Sequence, residues 1–175
     1  MRNLIDEVVE RLNRHGIIFF QHDDGLLIPI PTPGGLLMTQ VRVLRNNLLK
    51  VYSLCNHRAP ENKRAAIAEV ITRANYGLNI GNFEMDYRDG EIRYKVSMPV
   101  DPDQGLTDEL LRLVIGVNVT THARYLPAIE AVLYRDAEPR KAVEDVEGPS
   151  EEIGPSSEDI ERIVRRLLDQ DEEQD

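Results

Sequence analysis

The stretch Asn82-Phe83-Glu84-Met85-Asp86-Tyr87-Arg88-Asp89-Gly90-Glu91-Ile92-Arg93-Tyr94-Lys95-Val96-Ser97-Met98 reads as two strands around one turn. Asp89-Gly90 is a two-residue turn signal, because a type I′ turn needs positive φ at both central positions. Counting outward pairs Arg88 with Glu91, Tyr87 with Ile92, Asp86 with Arg93, Met85 with Tyr94, Glu84 with Lys95 and Phe83 with Val96. The charged pairs are all opposite in sign, and the remaining pairs are all apolar. A slip of one residue would turn every apolar side chain to the wrong face, so one face is expected to be buried and the other solvated. Glu84, Asp86 and Glu91 each meet a cation across the hairpin. Its polar face is therefore expected to be a solvated surface with no activity of its own.

Upstream, Leu4, Ile5, Val8, Val9 and Leu12 recur at helical spacing, and Gly16 is a plausible stop. A short apolar run, Ile17 to Phe20, leads to the turn signal His22-Asp23-Asp24-Gly25. Leu26 to Ile30 reads as a strand, and Pro29 within it predicts an edge position or an early break. After the loop Pro31-Thr32-Pro33-Gly34-Gly35, Leu36 to Leu44 and Leu48 to Leu54 are β-rich and joined at Asn46-Asn47, a second hairpin with a weaker register. A helix is expected from about Pro60, a favourable first-turn residue, to about Tyr76 with Gly77 ending it.

Downstream, Thr107 can cap a helix whose first turn holds Asp108 and Glu109. That helix is expected to reach about Arg124, with Pro127 kinking it or restarting it as a last helix to about Arg135. The order α-β-β-β-α-β-β-α-α predicts an α+β fold in which helices flank an antiparallel sheet.

The chain has 175 residues, enough for one domain and an appendage. Its net charge of -10 comes from 31 acids and 21 bases, unevenly spread. Residues 1–135 hold 16 of each and balance. Residues 136–175 hold the other 15 acids and 5 bases, and so account for the whole -10. A neutral body with no basic stripe argues against nucleic acid, and an acidic tail would be repelled by phosphate and by anionic lipid. No apolar run approaches the roughly 18 residues needed to span a membrane, and the charged N-terminus lacks a signal-peptide core. A single cysteine, Cys55, points to a reducing cytoplasmic setting.

Three boundaries follow from composition. Residues 1–135 are the α+β domain, and 136–155, rich in Asp, Glu, Pro, Gly and Ser, read as a disordered linker. Ser156-Ser157-Glu158-Asp159 resembles a helix start. Ile160, Ile163, Val164, Leu167 and Leu168 then form a narrow stripe over 156–169, before an acidic end at 170–175. Those five residues are the candidate protein-binding site, as a tethered helix that docks on its own body or on a neighbour.

The runs Asn62-Lys63-Arg64-Ala65-Ala66, Arg73-Ala74-Asn75-Tyr76-Gly77-Leu78 and Ile80-Gly81-Asn82-Phe83-Glu84 resemble the signature of the YbjN family. Asn118-Val119-Thr120 and Arg124-Tyr125-Leu126-Pro127-Ala128-Ile129 are similar to that family's final helical region. The resemblance covers about Leu4 to Arg135. It implies a fold similar to type III secretion chaperones, often dimeric, and a family label of sensory transduction regulator without agreed catalytic or ligand-binding residues. The Asn75-Tyr76-Gly77 and Gly81-Asn82 elements also have a sufficient structural reading, as a helix terminus leading into a strand.

The chemistry-bearing residues are sparse. His15, His22, His57 and His122 are scattered, and Cys55-x-His57 lacks a partner pair at zinc spacing. His22-Asp23-Asp24 reads as a solvated turn. Cys55 with His57 is the one pair with the residue types of nucleophilic catalysis, and no phosphate-binding glycine loop is present. No catalytic, cofactor-binding or metal-ligating residue is therefore assigned. The expectation is a non-enzymatic cytoplasmic binding module, chaperone-like or an adaptor, forming a homodimer and binding a protein partner, with no nucleic acid and no membrane. Two alternatives stand beside it. One is an enzyme or small-ligand sensor with a pocket between sheet and helices; the other is an assembly factor acting through its acidic tail.

Overall fold

Helix α1 (Leu4–Arg14) starts where the Asn3 side chain accepts a hydrogen bond from the Ile5 N–H, and it buries Leu4, Val8 and Leu12. The computed structural model describes residues 3–23 and 25–148. After α1 come β1 (Phe20–His22), β2 (Gly25–Thr32), β3 (Gly35–Leu44) and β4 (Leu48–Arg58). Next are α2 (Arg64–Gly77), β5 (Asn82–Met85), β6 (Glu91–Pro99), α3 (Asp108–Tyr134) and α4 (Pro139–Glu147). The strands form one sheet in the order β1-β2-β3-β4-β6-β5, and every pairing is antiparallel. This is the expected α+β class, with β1 as an additional strand.

All four helices lie on one face of the sheet. Leu26, Ile28, Val41, Leu49, Val51, Ile92 and Val96 alternate inward and share one buried cluster with Val8 of α1, Ile67 of α2, Val114 of α3 and Val143 of α4. The opposite face has no helix among the described residues. It carries Leu27, Pro29, Met38, Gln40, Arg42, Lys50, Tyr52, Arg93 and Lys95, of which Tyr52 alone is buried, at 5 % exposure.

The β5–β6 hairpin keeps its predicted faces but not its predicted pairs. Phe83 lies opposite Tyr94, Glu84 opposite Arg93 and Met85 opposite Ile92, a shift of two residues along β6. Because side chains alternate with a period of two, that shift leaves Phe83, Ile92, Tyr94 and Val96 buried as expected. The turn is the reason. Tyr87 to Gly90 form a four-residue loop in which the Gly90 N–H donates to the Asp86 carbonyl at 2.7 Å and the Asp86 N–H to the Glu91 carbonyl at 2.8 Å. Only Gly90 takes positive φ (76°), and a Cβ there would sit 2.0 Å from the Ala59 carbonyl oxygen. Tyr87, expected in the apolar row, is at the loop and exposed.

Two further expectations are corrected. Helix α3 is capped by Thr107, which accepts from the Leu110 N–H at 3.1 Å, and it runs through Pro127 to Tyr134 as one element. Proline removes one intrahelical bond, but Tyr125, Ala128, Ile129 and Val132 around it are buried, and their packing holds the helix together. The disordered linker expected over 136–155 is helical across Pro139–Glu147. Glu138 caps that helix by accepting from the Arg140 and Lys141 N–H groups, and Pro139 occupies its first position. Ala142 and Val143 are buried at 3 % exposure, so two small apolar residues suffice where α2 and α3 supply the rest of the contact. Arg124 reinforces it from α3 by donating to the Val146 and Glu147 carbonyls.

Asn118 ties α3 to the middle of the sheet. Its amide donates to the Val51 carbonyl of β4 and to the Tyr94 carbonyl of β6, both at 3.1 Å, and its oxygen accepts from Ser53, which is itself bonded to Thr39. All three polar side chains are fully buried, so each lost bond leaves an unsatisfied group. We expect Asn118→Ala to cost about 3 kcal/mol, a fall of about 6–12 °C in melting temperature for a domain of this size. Calorimetry of the two proteins checks it.

His122, also on α3, is 2 % exposed near Phe83, and its Nε2 has no hydrogen-bond partner among the described residues. Burial pushes its pKa down to about 4 from 6.5. The unfolded chain takes up this proton near pH 6.5 and the folded chain only near 4. Stability is therefore intact above about pH 6.5 and declines as the pH falls toward 4, by about 3 kcal/mol at about 1.4 kcal/mol per pH unit. Urea unfolding of the wild type and His122→Phe across pH 4–8 should show the wild type losing that much more. Parallel curves would contradict the assignment.

Candidate functional site

The open sheet face gathers cations that are far apart in the chain. β4 sits between β3 and β6, so Arg42 lies directly opposite Lys50 and Tyr52 directly opposite Lys95. Arg42, Lys50 and Arg93 surround the Tyr52 ring, with their charged groups 5.5, 5.2 and 5.5 Å from its centroid. The Tyr52 hydroxyl donates to Gln40 of β3. The ring is thus buried beneath cations rather than in the core cluster, an arrangement that cation–π attraction stabilises.

Glu84 is a carboxylate at the centre of this cluster. It pairs with Arg93 at 2.8 Å and with Lys95. Burial alone would raise its pKa, but hydrogen bonds from Lys95, Arg93 and Asn82 outweigh that and hold it at about 2. Asp86 and Glu91 lie farther along the hairpin, beside Arg93. Lys50 makes no ion pair with any described residue, and its pKa is lowered, first by partial burial and then by Arg93 and Lys95. Beside the cations the same face is apolar, with Phe20, Leu27, Pro29, Leu36 and Met38 on β1 to β3. Phe20 and Leu36 are among the most exposed large apolar side chains of the described residues.

The hairpin's charges are paired, as expected, but not all with the expected partners. Glu84 does pair with Lys95, but Asp86 takes Arg88 of its own loop and Glu91 takes Arg58 of β4. Arg93 and Lys95 then join Arg42 and Lys50 to make a basic patch on a body whose charges balance overall. Sequence reasoning missed Arg42, Lys50 and Tyr52. A signal was available: counting outward from the Arg45–Asn47 turn sets Arg42 against Lys50, a like-charge pair that strands avoid unless something anionic compensates it.

The other candidates have structural roles. Cys55 is buried, and burial pushes its thiol pKa up, the opposite of what a nucleophile requires. His57 faces the same side, as expected, but both ring nitrogens are engaged by α3, Nε2 with Glu130 at 3.0 Å and Nδ1 with the Tyr134 hydroxyl at 2.8 Å. Asn75, in the family-like run, donates its amide to the Phe83 carbonyl at 3.0 Å and accepts from the Phe83 N–H at 2.7 Å. It mimics a neighbouring strand and closes the free edge of β5. Gly81 turns the chain into β5 at φ 78°, where a Cβ would clash with the Tyr94 hydroxyl at 2.6 Å. A cleft of about 690 Å³ lies between α2 and the β5–β6 loop, outside the sheet–helix interior and lined by Ile71, Met85, Asp86 and Arg88. Among the described residues no three His, Cys, Asp or Glu side chains converge on a metal position, and no helix is long and apolar enough to cross a membrane. The tail residues Ile160, Ile163, Val164, Leu167 and Leu168 lie outside the described residues.

Lys50 carries the energetic mark of the site. Its pKa is lowered on folding, so the folded state is penalised while the ammonium is charged and relieved as pH rises. Lys50→Gln is therefore expected to stabilise the protein by about 0.5–1 kcal/mol at low salt, with the gain shrinking above 0.5 M salt as the cations are screened. Chemical denaturation at both salt concentrations measures this, and a destabilised variant at low salt would contradict it.

No curated protein matches the chain. Among solved structures it is similar to the crystal structure of YbjN from E. coli, described as a putative transcription regulator, at 14 % identity and a TM-score of 0.57. The match covers 75 % of this chain and 93 % of that one. Residues 4–131 match the model of the YbjN family, described as "Putative bacterial sensory transduction regulator". With the sheet, α1, α2 and nearly the whole of α3 inside that match, the chain belongs to the YbjN family.

Proposed function

We propose that this chain is a non-enzymatic cytoplasmic protein-binding module, a regulatory adaptor that holds a client segment in the manner of type III secretion chaperones. Its binding surface is the open sheet face, and its ligand class is an acidic protein segment studded with apolar side chains. One observation carries this reading: Lys50, which makes no ion pair among the described residues, stands with Arg42, Arg93 and Lys95 beside an exposed apolar strip. A like-charged cluster of this kind is relieved by an anionic partner, and the strip beside it supplies apolar area to bury. Two features favour protein over single-stranded nucleic acid. The Tyr52 ring is covered and offers no face for a base to stack on, and the chain's net charge of -10 opposes a long polyanion.

The test is titration of the isotope-labelled full chain, followed by NMR. The probes are a 12-residue peptide of Leu-Glu-Glu repeats, its Leu-Lys-Lys counterpart and a 12-nucleotide oligothymidine. Shifts are expected at the amides of Gln40, Arg42, Lys50, Tyr52, Arg93 and Lys95 with the acidic peptide alone. Arg42→Glu with Lys50→Glu should weaken binding at least tenfold, the equivalent of about 1.4 kcal/mol. Shifts with oligothymidine and not with the acidic peptide would overturn the protein reading. Shifts confined to the α2 cleft would overturn the surface. The homodimer that the resemblance implies is tested in the same samples by light scattering, where the mass of a single chain would remove it.

A further inference from the structure

We infer that the seat of α4 between α2 and α3 is a second binding surface, specific for an amphipathic helix of a partner protein, and that α4 holds it in cis until such a helix displaces it. The inference is independent of the open sheet face, which lies on the other side of the sheet from the helices. The contacts of α4 define the ligand. Ala142 and Val143 are buried and Val146 is half-buried, so the seat takes small apolar side chains at i, i+1 and i+4. At the far end Arg124 donates to the Val146 and Glu147 carbonyls at 3.2 and 3.0 Å, and the Tyr125 hydroxyl donates to the Glu147 carboxylate at 2.7 Å. A guanidinium on the last carbonyls and a hydroxyl on an acidic side chain read the C-terminal turn of a helix and fix its direction.

Helix α4 holds that seat loosely. Its Glu138 cap, its Gly148 stop and its Arg140–Glu144 and Lys141–Asp145 pairs all lie within its own segment, so they stabilise the helix and not its docking. Ordering nine residues costs backbone entropy that two small, fully buried side chains offset only in part. A hollow of about 490 Å³ remains on its α2 flank, lined by Thr72, Arg73, Tyr76, Val143 and Glu144, with Tyr76 96 % exposed at the rim. A helix carrying a large apolar residue where α4 has Glu144 would fill that hollow and cover Tyr76, which α4 leaves bare. Arg124 and Tyr125 of α3, like the whole of α2, fall within residues 4–131, whereas α4 lies beyond the family match. The seat is thus part of the family body, and its occupant is not. The four-residue connection from Arg135 to Glu138 keeps α4 at an effective concentration on the order of millimolar, enough for a modest attraction to hold it in place.

Two measurements on the full chain test it. In native-state hydrogen exchange the amides of Val143 to Glu147 should exchange about a hundredfold or more faster than those of Val117 to Val119 in α3, because α4 opens alone. Equal protection would mean that α4 opens only with the body and would overturn the inference. The second measurement uses Val143→Asp, which unseats α4, and a synthetic peptide of residues 138–148 carrying Glu144→Leu. By NMR the peptide should shift the amides of Tyr76, Arg124 and Tyr125 in Val143→Asp, with a Kd about tenfold or more below that for the wild type, where α4 competes. Adding Arg124→Ala to Val143→Asp should weaken the peptide about tenfold in turn. Equal affinity for wild type and Val143→Asp, or no binding to Val143→Asp, would overturn the inference. So would shifts at Lys50 and Lys95, which would place the peptide on the open sheet face. A Val143→Asp chain whose sheet amides lose their dispersion would show α4 to be part of the core, with the same consequence. Failure here leaves the open sheet face standing, and failure of that face leaves the α4 seat standing.

Discussion

The pairing of β4 with β6 is the contact on which the rest of this structure depends. It is the one adjacency in the sheet between strands that are not consecutive in sequence, and it joins the N-terminal meander to the C-terminal hairpin. Loop-closure entropy opposes such a pairing until other contacts reward it. Asn118 reaches down from α3 to carbonyls on both strands and rewards it in the dry interior. On the other side of the same two strands, Lys50 and Tyr52 come against Arg93 and Lys95. A single register thus sets the buried polar network beneath the sheet and the basic patch above it.

What could be read in advance followed the range of the interaction. The Thr107 cap, the helical stripe of α1 and the turn at Arg45–Asn47 are local, and residue types alone pointed to them. The hairpin's faces were legible because alternation tolerates a shift of two, whereas its individual pairs depended on a loop geometry in which Gly90 takes positive φ and Asp89 does not. Helix α4 was hidden because composition weighs charge, while burial of Ala142 and Val143 depends on α2 and α3 being nearby. The patch was hidden for a related reason. Counting charge along the chain gives zero for residues 1–135, and no such count shows which strands become neighbours.

Neutrality of the body conceals a strong internal division of charge. Acids of the hairpin and of the helix surfaces have close cations, as Arg58 has with Asp89 and Glu91, and Arg73 with Glu69. Lys50 is left over, partly buried among like charges. Natural sequences keep such costs where function needs them, because most alternatives at the position would be more stable.

Both edges of the sheet offer only short runs of main chain, three residues on β1 and four on β5. Asn75 fills the place of a neighbouring strand on β5, and beyond three-residue β1 the outer side of β2 presents Pro29 and Pro31, which have no N–H to offer. Recognition by strand addition reads main chain and tolerates almost any sequence. A sheet with margins this short is read chiefly through the side chains of its open face. Its choice of partner is then written in a few individual residues, and single substitutions can retune that choice while the fold stays the same.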